Sequence, residues 1–185
     1  MDEYEISLGM PTNLPKRFET LISTTKVSRP AVKAVTEGKQ LIVLGAPIEA
    51  AAYGLRVANE YGHFNQMSNM VYMDANRFMK AKITDDPCQS AFDNFDHMLG
   101  QADVIVWSFL SYVSQNIAHE IDTAICARIT EDRINIVTGW NQPTDRLKLD
   151  KEVRNDFEHG YPLLAHYALS PDFSSIVSAD TGESA

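Results

Sequence analysis

The chain has 185 residues, 44% of them hydrophobic and 22% charged, and a formal net charge of −9. Such a composition describes one globular domain with a core large enough to stand alone. It excludes a membrane span, because no apolar run reaches the roughly 18 residues needed, and the acidic balance argues against a polymeric nucleic acid as main partner.

The opening "MDEYEISLGMPTNLPKR" is acidic first and lacks a basic region followed by an apolar one, so no secretory signal is expected. Residues 1–38 hold three prolines and weak periodicity, with room for short helices around Arg17–Ile22 and Ala31–Glu37. They are read as an N-terminal arm, suited to packing or dimerisation. A single α/β domain is expected over 39–178, and the small, polar stretch 179–185 is expected to be disordered. "QLIVLGAP" is an apolar run ended by Gly and Pro, the pattern of a buried strand. "IEAAAYGLRVANEYG" reads as a helix closed by Gly62. "NMVYMDA" is a second strand.

"TDDPCQSAFDNFDHMLGQ" reads as a helix with Asp86 as N-cap, Pro87 at the first helical position and Phe92, Phe95 and Leu99 on its inner stripe. "ADVIVWSF" is a third strand. "SQNIAHEIDTAICARITED" is a helix with Ser114 at its cap and Ile117, Ile121, Ile125 and Ile129 on one face. "RINIVTG" is a fourth strand, "DKEVRNDFEH" is helical, and "FSSIVS" is an edge strand. Strands apolar throughout, alternating with helices, predict a three-layer α/β/α sandwich with a mainly parallel, doubly wound sheet. Its ligands would sit beyond the carboxyl ends of the strands, at Gly45–Ile48, after Met73, at Ser108–Asn116 and at Thr138–Asn141.

Few residues stand out chemically. Glu120 enters the helix after the third strand, near that edge, where a half-buried carboxylate could serve as nucleophile or acid/base; its bland reading is a boundary residue paired with His119 or Arg128. Ser114 and the amides near Asn116 could hold a phosphate at the helix start, although Ser114 could equally be only a cap. Gly45 could let a ligand approach the backbone. "LGAPIEAAAYG" is neither G-x-G-x-x-G nor a P-loop, and no Lys-Ser/Thr follows, so a P-loop ATPase and a Rossmann fingerprint are both rejected. Asp93, Asp96 and His97 cluster on one helix, a pattern usually solvated. The five histidines form no H-x-x-x-H or similar pair, and no metal is expected. No G-x-S-x-G elbow is present. Cys88 and Cys126 read as reduced core residues, consistent with a cytoplasmic setting.

Taken together, "FDNFDHMLGQADVIVWSFLSYVSQNIAHEIDTAI" resembles the central block of the nucleoside 2-deoxyribosyltransferase superfamily, over roughly residues 40–139. "MLGQADVIV" matches the family's strand, and Ser114 and Glu120 are six apart, as in its nucleoside 5′-monophosphate N-hydrolase branch. The family's motif glycines are Asn116 and Ala118 here, the one after its glutamate is Asp122, and its upstream acid falls at Phe95. The resemblance implies a glutamate nucleophile, Glu120, attacking the anomeric carbon, with Asp96 (Asp93 in reserve) protonating the leaving base. Gly45, Ser114 and Asn116 would bind the nucleotide substrate. It implies no cofactor and a homo-oligomer. Two other readings fit the residues: a non-catalytic nucleotide sensor on the same fold, and an interaction protein without a small ligand.

Overall fold

A computed structural model of the chain describes residues 16–45, 47–65, 69–74, 78, 99–108, 115–140, 171–173 and 175–179. Five strands form one sheet: β1 (Leu41–Gly45), β2 (Met70–Asp74), β3 (Val104–Ser108), β4 (Ile134–Trp140) and β5 (Ser175–Ser178). Their spatial order is β2-β3-β4-β1-β5, and every pairing is parallel. Parallel neighbours need crossovers, and the order places β1 inside the sheet, between β4 and β5. "FSSIVS" does supply an edge strand. Four helices are described over their length: α1 (Lys16–Thr24), α2 (Arg29–Thr36), α3 (Pro47–Asn65) and α4 (Gln115–Thr130). Among the described residues, no helix is long and apolar enough to cross a membrane.

Alternation along each strand divides the core in two. Ile42, Val71, Met73, Ile105, Trp107 and Val137 face α4, where they meet Ile121 and Ile125. Leu41, Val43, Met70, Tyr72, Val104, Val106, Ile134 and Ile136 face α3. Both faces are covered, so both strand faces must be apolar, and the expected three-layer sandwich is the fold observed.

Helix α3 is the middle of a further stack. Its outer side is roofed by α1 and α2, so Ala50, Ala51, Ala52, Tyr53, Leu55, Val57 and Ala58 are all buried. Small side chains let its axis lie close to the sheet. The approach is tightest at Gly54, where a Cβ would stand 2.6 Å from Thr138 Cγ2 and 3.2 Å from Val106 Cγ1. The helix does not end at Gly62 but continues to Asn65; a glycine inside a helix weakens it without stopping it.

Residues 16–38 are tied down by identifiable bonds. Ser28 caps α2, its Oγ accepting from the Ala31 amide, with Pro30 in the first turn. The Tyr53 hydroxyl donates to Ser28 Oγ at 3.1 Å and accepts from the Ser28 amide at 2.9 Å. At the other end Gly38 adopts φ +78°, and the Lys39 amide reaches back to the Ala34 carbonyl, a Schellman closure. Helix α4 closes in the same way, with Asp132 at φ 56° and the Arg133 amide on the Arg128 carbonyl.

The amino edge of the sheet holds a buried polar network. Arg128 donates from Nε to Asn135 Oδ1, from Nη1 to the Leu99 and Ala102 carbonyls, and from Nη2 to the Ile134 and Asp103 carbonyls. All five N–H donors of the fork have acceptors, which makes a buried cation tolerable. Burial pulls its pKa down to about 10, so it stays protonated at neutral pH. Asn135 also accepts from Trp107 Nε1 and donates to Gln40 Oε1. Asp103 pairs with Arg133 at 2.5 Å and accepts from the Asn69 amide. Arg128 is thus a structural residue here, not a partner for Glu120.

Candidate functional site at the carboxyl edge

Register sets one row of polar residues at the carboxyl end of the sheet. Asp74 stands beside Ser108, Ser108 beside Thr138, and Thr138 beside Val43. Strand alternation points Ser108 and Thr138 to the α3 face, and Gly54 of α3 packs on the Thr138 methyl. Ser108 and Thr138 are each 1% exposed. Thr138 Oγ1 donates to the Trp107 carbonyl at 3.2 Å. The Ser108 hydroxyl, by contrast, is buried with no hydrogen-bond partner. Such a group costs about 1–3 kcal/mol, which singles the position out.

The turn from β1 to α3 borders this row. Strand β1 ends at Gly45 and α3 begins at Pro47, so one residue separates them. A phosphate-binding loop needs a run of free backbone N–H groups and a lysine. Here Pro47 has no N–H, and the first helical turn carries the exposed carboxylate of Glu49. That carboxylate occupies the favourable end of the helix dipole, where a phosphate would otherwise gain. Ile48, in the same turn, is 54% exposed. Gly45 has a packing reason of its own: a Cβ there would lie 2.8 Å from Ala179 Cβ, just after β5.

Helix α4 begins near the same edge, since it follows β3. Asn116 lies in its first turn, and Glu120 lies in its second turn with its side chain exposed rather than half-buried. The next residue, Ile121, carries the core contact. Asp93, Asp96 and Ser114 lie outside the described residues. The structure therefore brings Gly45 and the start of α4 to one edge, and it leaves the proposed Glu120–Asp96 pair without described geometry. Ser108 and Thr138 were legible only as strand ends; nothing in the sequence marked them as a buried row. Cys126 is exposed, not a core residue, and burial with the adjacent Asp122 carboxylate pushes its thiol pKa up. Its Sγ donates to Asp122 Oδ1. A thiol held protonated is a poor nucleophile.

No family model matches the sequence, and no curated protein matches it. Solved structures do match in fold. A DNA replication initiation factor aligns with a TM-score of 0.54 at 12% identity, over 85% of this chain and 48% of that one. The replication initiator DnaA bound to AMPPCP and single-stranded DNA aligns with a TM-score of 0.52 at 15% identity, over 81% of this chain and 50% of that one. The DnaC helicase loader gives a TM-score of 0.54 at 14% identity, over 78% of this chain and 87% of that one. The chain spans about half the length of the two initiators it matches.

These likenesses are of fold alone, and they correct several expectations. The resemblance to the nucleoside 2-deoxyribosyltransferase superfamily does not stand, nor does the glycosidase or deoxyribosyltransferase activity it implied. The physical reason is that an apolar stretch such as "ADVIV" with an amphipathic helix after it is what any buried parallel strand and its crossover require. The exclusion of a nucleic-acid polymer also falls, since a fold neighbour is bound to single-stranded DNA. Net charge is a sum over the molecule, and it does not describe any one surface.

Proposed function

We propose that this chain is a non-catalytic binding module built on the fold of nucleotide-dependent replication proteins. It works by holding partners rather than by turning over a nucleotide. The observation that carries this reading is the β1–α3 turn. One residue joins Gly45 to Pro47, no lysine follows, and the first turn of α3 carries the exposed carboxylate of Glu49. P-loop NTPases grip the β- and γ-phosphates with a glycine-rich backbone and its lysine, and hold Mg²⁺ with a hydroxyl and an acid. Of the five strands, only β2 ends on a carboxylate, Asp74. Such a turn supplies little of the charge stabilisation that phosphoryl transfer needs.

A second reading keeps a bound nucleotide without hydrolysis. It is favoured by the buried, unpartnered Ser108 hydroxyl beside Thr138, a donor that a ligand could complete. One experiment separates the readings. The purified chain is titrated with AMPPCP and magnesium by calorimetry, and phosphate release from ATP is followed in parallel. The expected result is no phosphate release above the buffer rate. Steady release proportional to protein would overturn the non-catalytic reading. Saturable AMPPCP binding without release would select the sensor.

A further inference from the structure

Charge in this chain is segregated. Residues 16–40 contain six basic and two acidic side chains, a net +4, while the remaining residues hold ten basic and 23 acidic ones, a net −13. Within that segment α2 sorts its residues sharply. Ala31, Ala34 and Val35 are buried against the domain, and Arg29 and Lys33, one turn apart, lie on the opposite, exposed face. Lys26, in the α1–α2 turn, and Lys39, just past Gly38, are also exposed and extend the row at both ends.

Pairing distinguishes these cations from the rest. Arg56 pairs with Glu60, Arg133 with Asp103, and Arg128 is used up on carbonyls. Lys33 and Lys39 share the single carboxylate of Glu37, at 3.5 Å and 2.8 Å. Among the basic side chains described, Lys26 and Arg29 have neither an ion pair nor a hydrogen bond to the protein. Arg29 opens α2 and Lys26 lies three residues before it, by the end of the helix where the dipole adds positive potential. Two exposed cations without a carboxylate partner, next to a capped helix, form a local anion-binding surface.

We propose that the Lys26–Arg29–Lys33–Lys39 row is a contact surface for a nucleic-acid phosphodiester backbone. One feature favours a polymer of phosphates over a single nucleotide. The cations are spread from the α1–α2 turn to the residue beyond Gly38, along the whole of α2. No exposed aromatic lies in 20–40, so bases have nothing to stack on and recognition is of backbone, without sequence preference. The four cations predict a salt dependence of log K on log salt of roughly −3. This surface lies on the outer layer, and its test is independent of nucleotide binding or hydrolysis at the carboxyl edge.

The test is fluorescence anisotropy of the full chain with a labelled thymidine 30-mer and with a mixed-sequence duplex, between about 50 and 200 mM salt. Lys26→Gln/Arg29→Gln is compared with Thr123→Glu/Ala127→Glu, which changes net charge equally on the exposed face of α4. The expected result is binding to either nucleic acid. The first pair should weaken it about tenfold or more and flatten the slope by about 1.5, the second by less than about twofold. Equal losses in both pairs would mean that only net charge matters, and would overturn the proposal. So would no binding at low salt, or equally tight binding to polyglutamate of matched charge. A result confined to the single strand or to the duplex would name which polymer the surface takes and would support it. All variants are checked for unchanged thermal unfolding.

Discussion

Arg128 and Ser108 are buried polar residues in opposite states. Arg128 satisfies every donor of its guanidinium and in doing so caps carbonyls from two segments: Leu99, Ala102 and Asp103 before β3, and Ile134 at the start of β4. Truncation would leave several of those acceptors buried without partners. Arg128→Ala is expected to cost at least about 3 kcal/mol in urea unfolding, given about 1–3 kcal/mol for each stranded group. Arg128→Lys should recover only part, because an ammonium cannot span the fork. Ser108 carries the reverse prediction. Its hydroxyl has no partner, so Ser108→Ala should leave the free protein as stable or raise its stability by about 1 kcal/mol. A clear loss of stability in the free Ser108→Ala protein would show that the hydroxyl is already satisfied and remove it from the candidate site.

At the scale of the element, α3 is the most constrained piece of the molecule, lying between the sheet and the α1–α2 layer. Its alanines and Gly54 are there because the helix axis runs close to Val106, Ile136 and Thr138. Gly54→Ala would ordinarily gain up to about 1 kcal/mol of helix propensity. The 2.6 Å approach to Thr138 Cγ2 reverses this, and a net loss of about 1–3 kcal/mol is expected from overpacking. Gly100, with nothing within 4 Å of its would-be Cβ, is the control and should tolerate alanine or be stabilised by it. Denaturant midpoints of the two variants, measured together, check the sign of each. The first strand, helices α3 and α4 and the edge strand were legible from apolar runs, glycine–proline punctuation and isoleucine spacing, while the helix expected over "TDDPCQSAFDNFDHMLGQ" lies mostly outside the described residues. Helix ends were less so: Gly62 reads as a stop, yet α3 passes through it, because tertiary burial on both sides holds the helix together.

For the whole molecule, the layer formed by α1 and α2 matters twice, as a roof over α3 and as the seat of the basic row. Without it Tyr53, Ala50, Val57 and their neighbours would face water. A variant lacking the first 39 residues is therefore expected to lose its cooperative unfolding transition or to aggregate, followed by circular dichroism and gel filtration. An unchanged, cooperative transition would mean that 39–178 folds without the layer. At the same scale, a net charge of −9 is a sum over the chain and does not describe the exposed Lys26, Arg29, Lys33 and Lys39 in and around α2.

The sequence by itself determined the layer architecture, because burial on both faces of a parallel sheet demands strands apolar at every position, and no other common arrangement does. It also determined that the first turn lacks a phosphate-gripping motif, since that chemistry depends on residue types at fixed spacing. The tertiary structure alone decided the strand order β2-β3-β4-β1-β5. It alone placed Ser108 beside Thr138 beneath α3 and left Glu120 exposed. Local spacing specifies which face a residue takes within its own element. Which elements become neighbours is set by long-range packing, which short motifs do not encode.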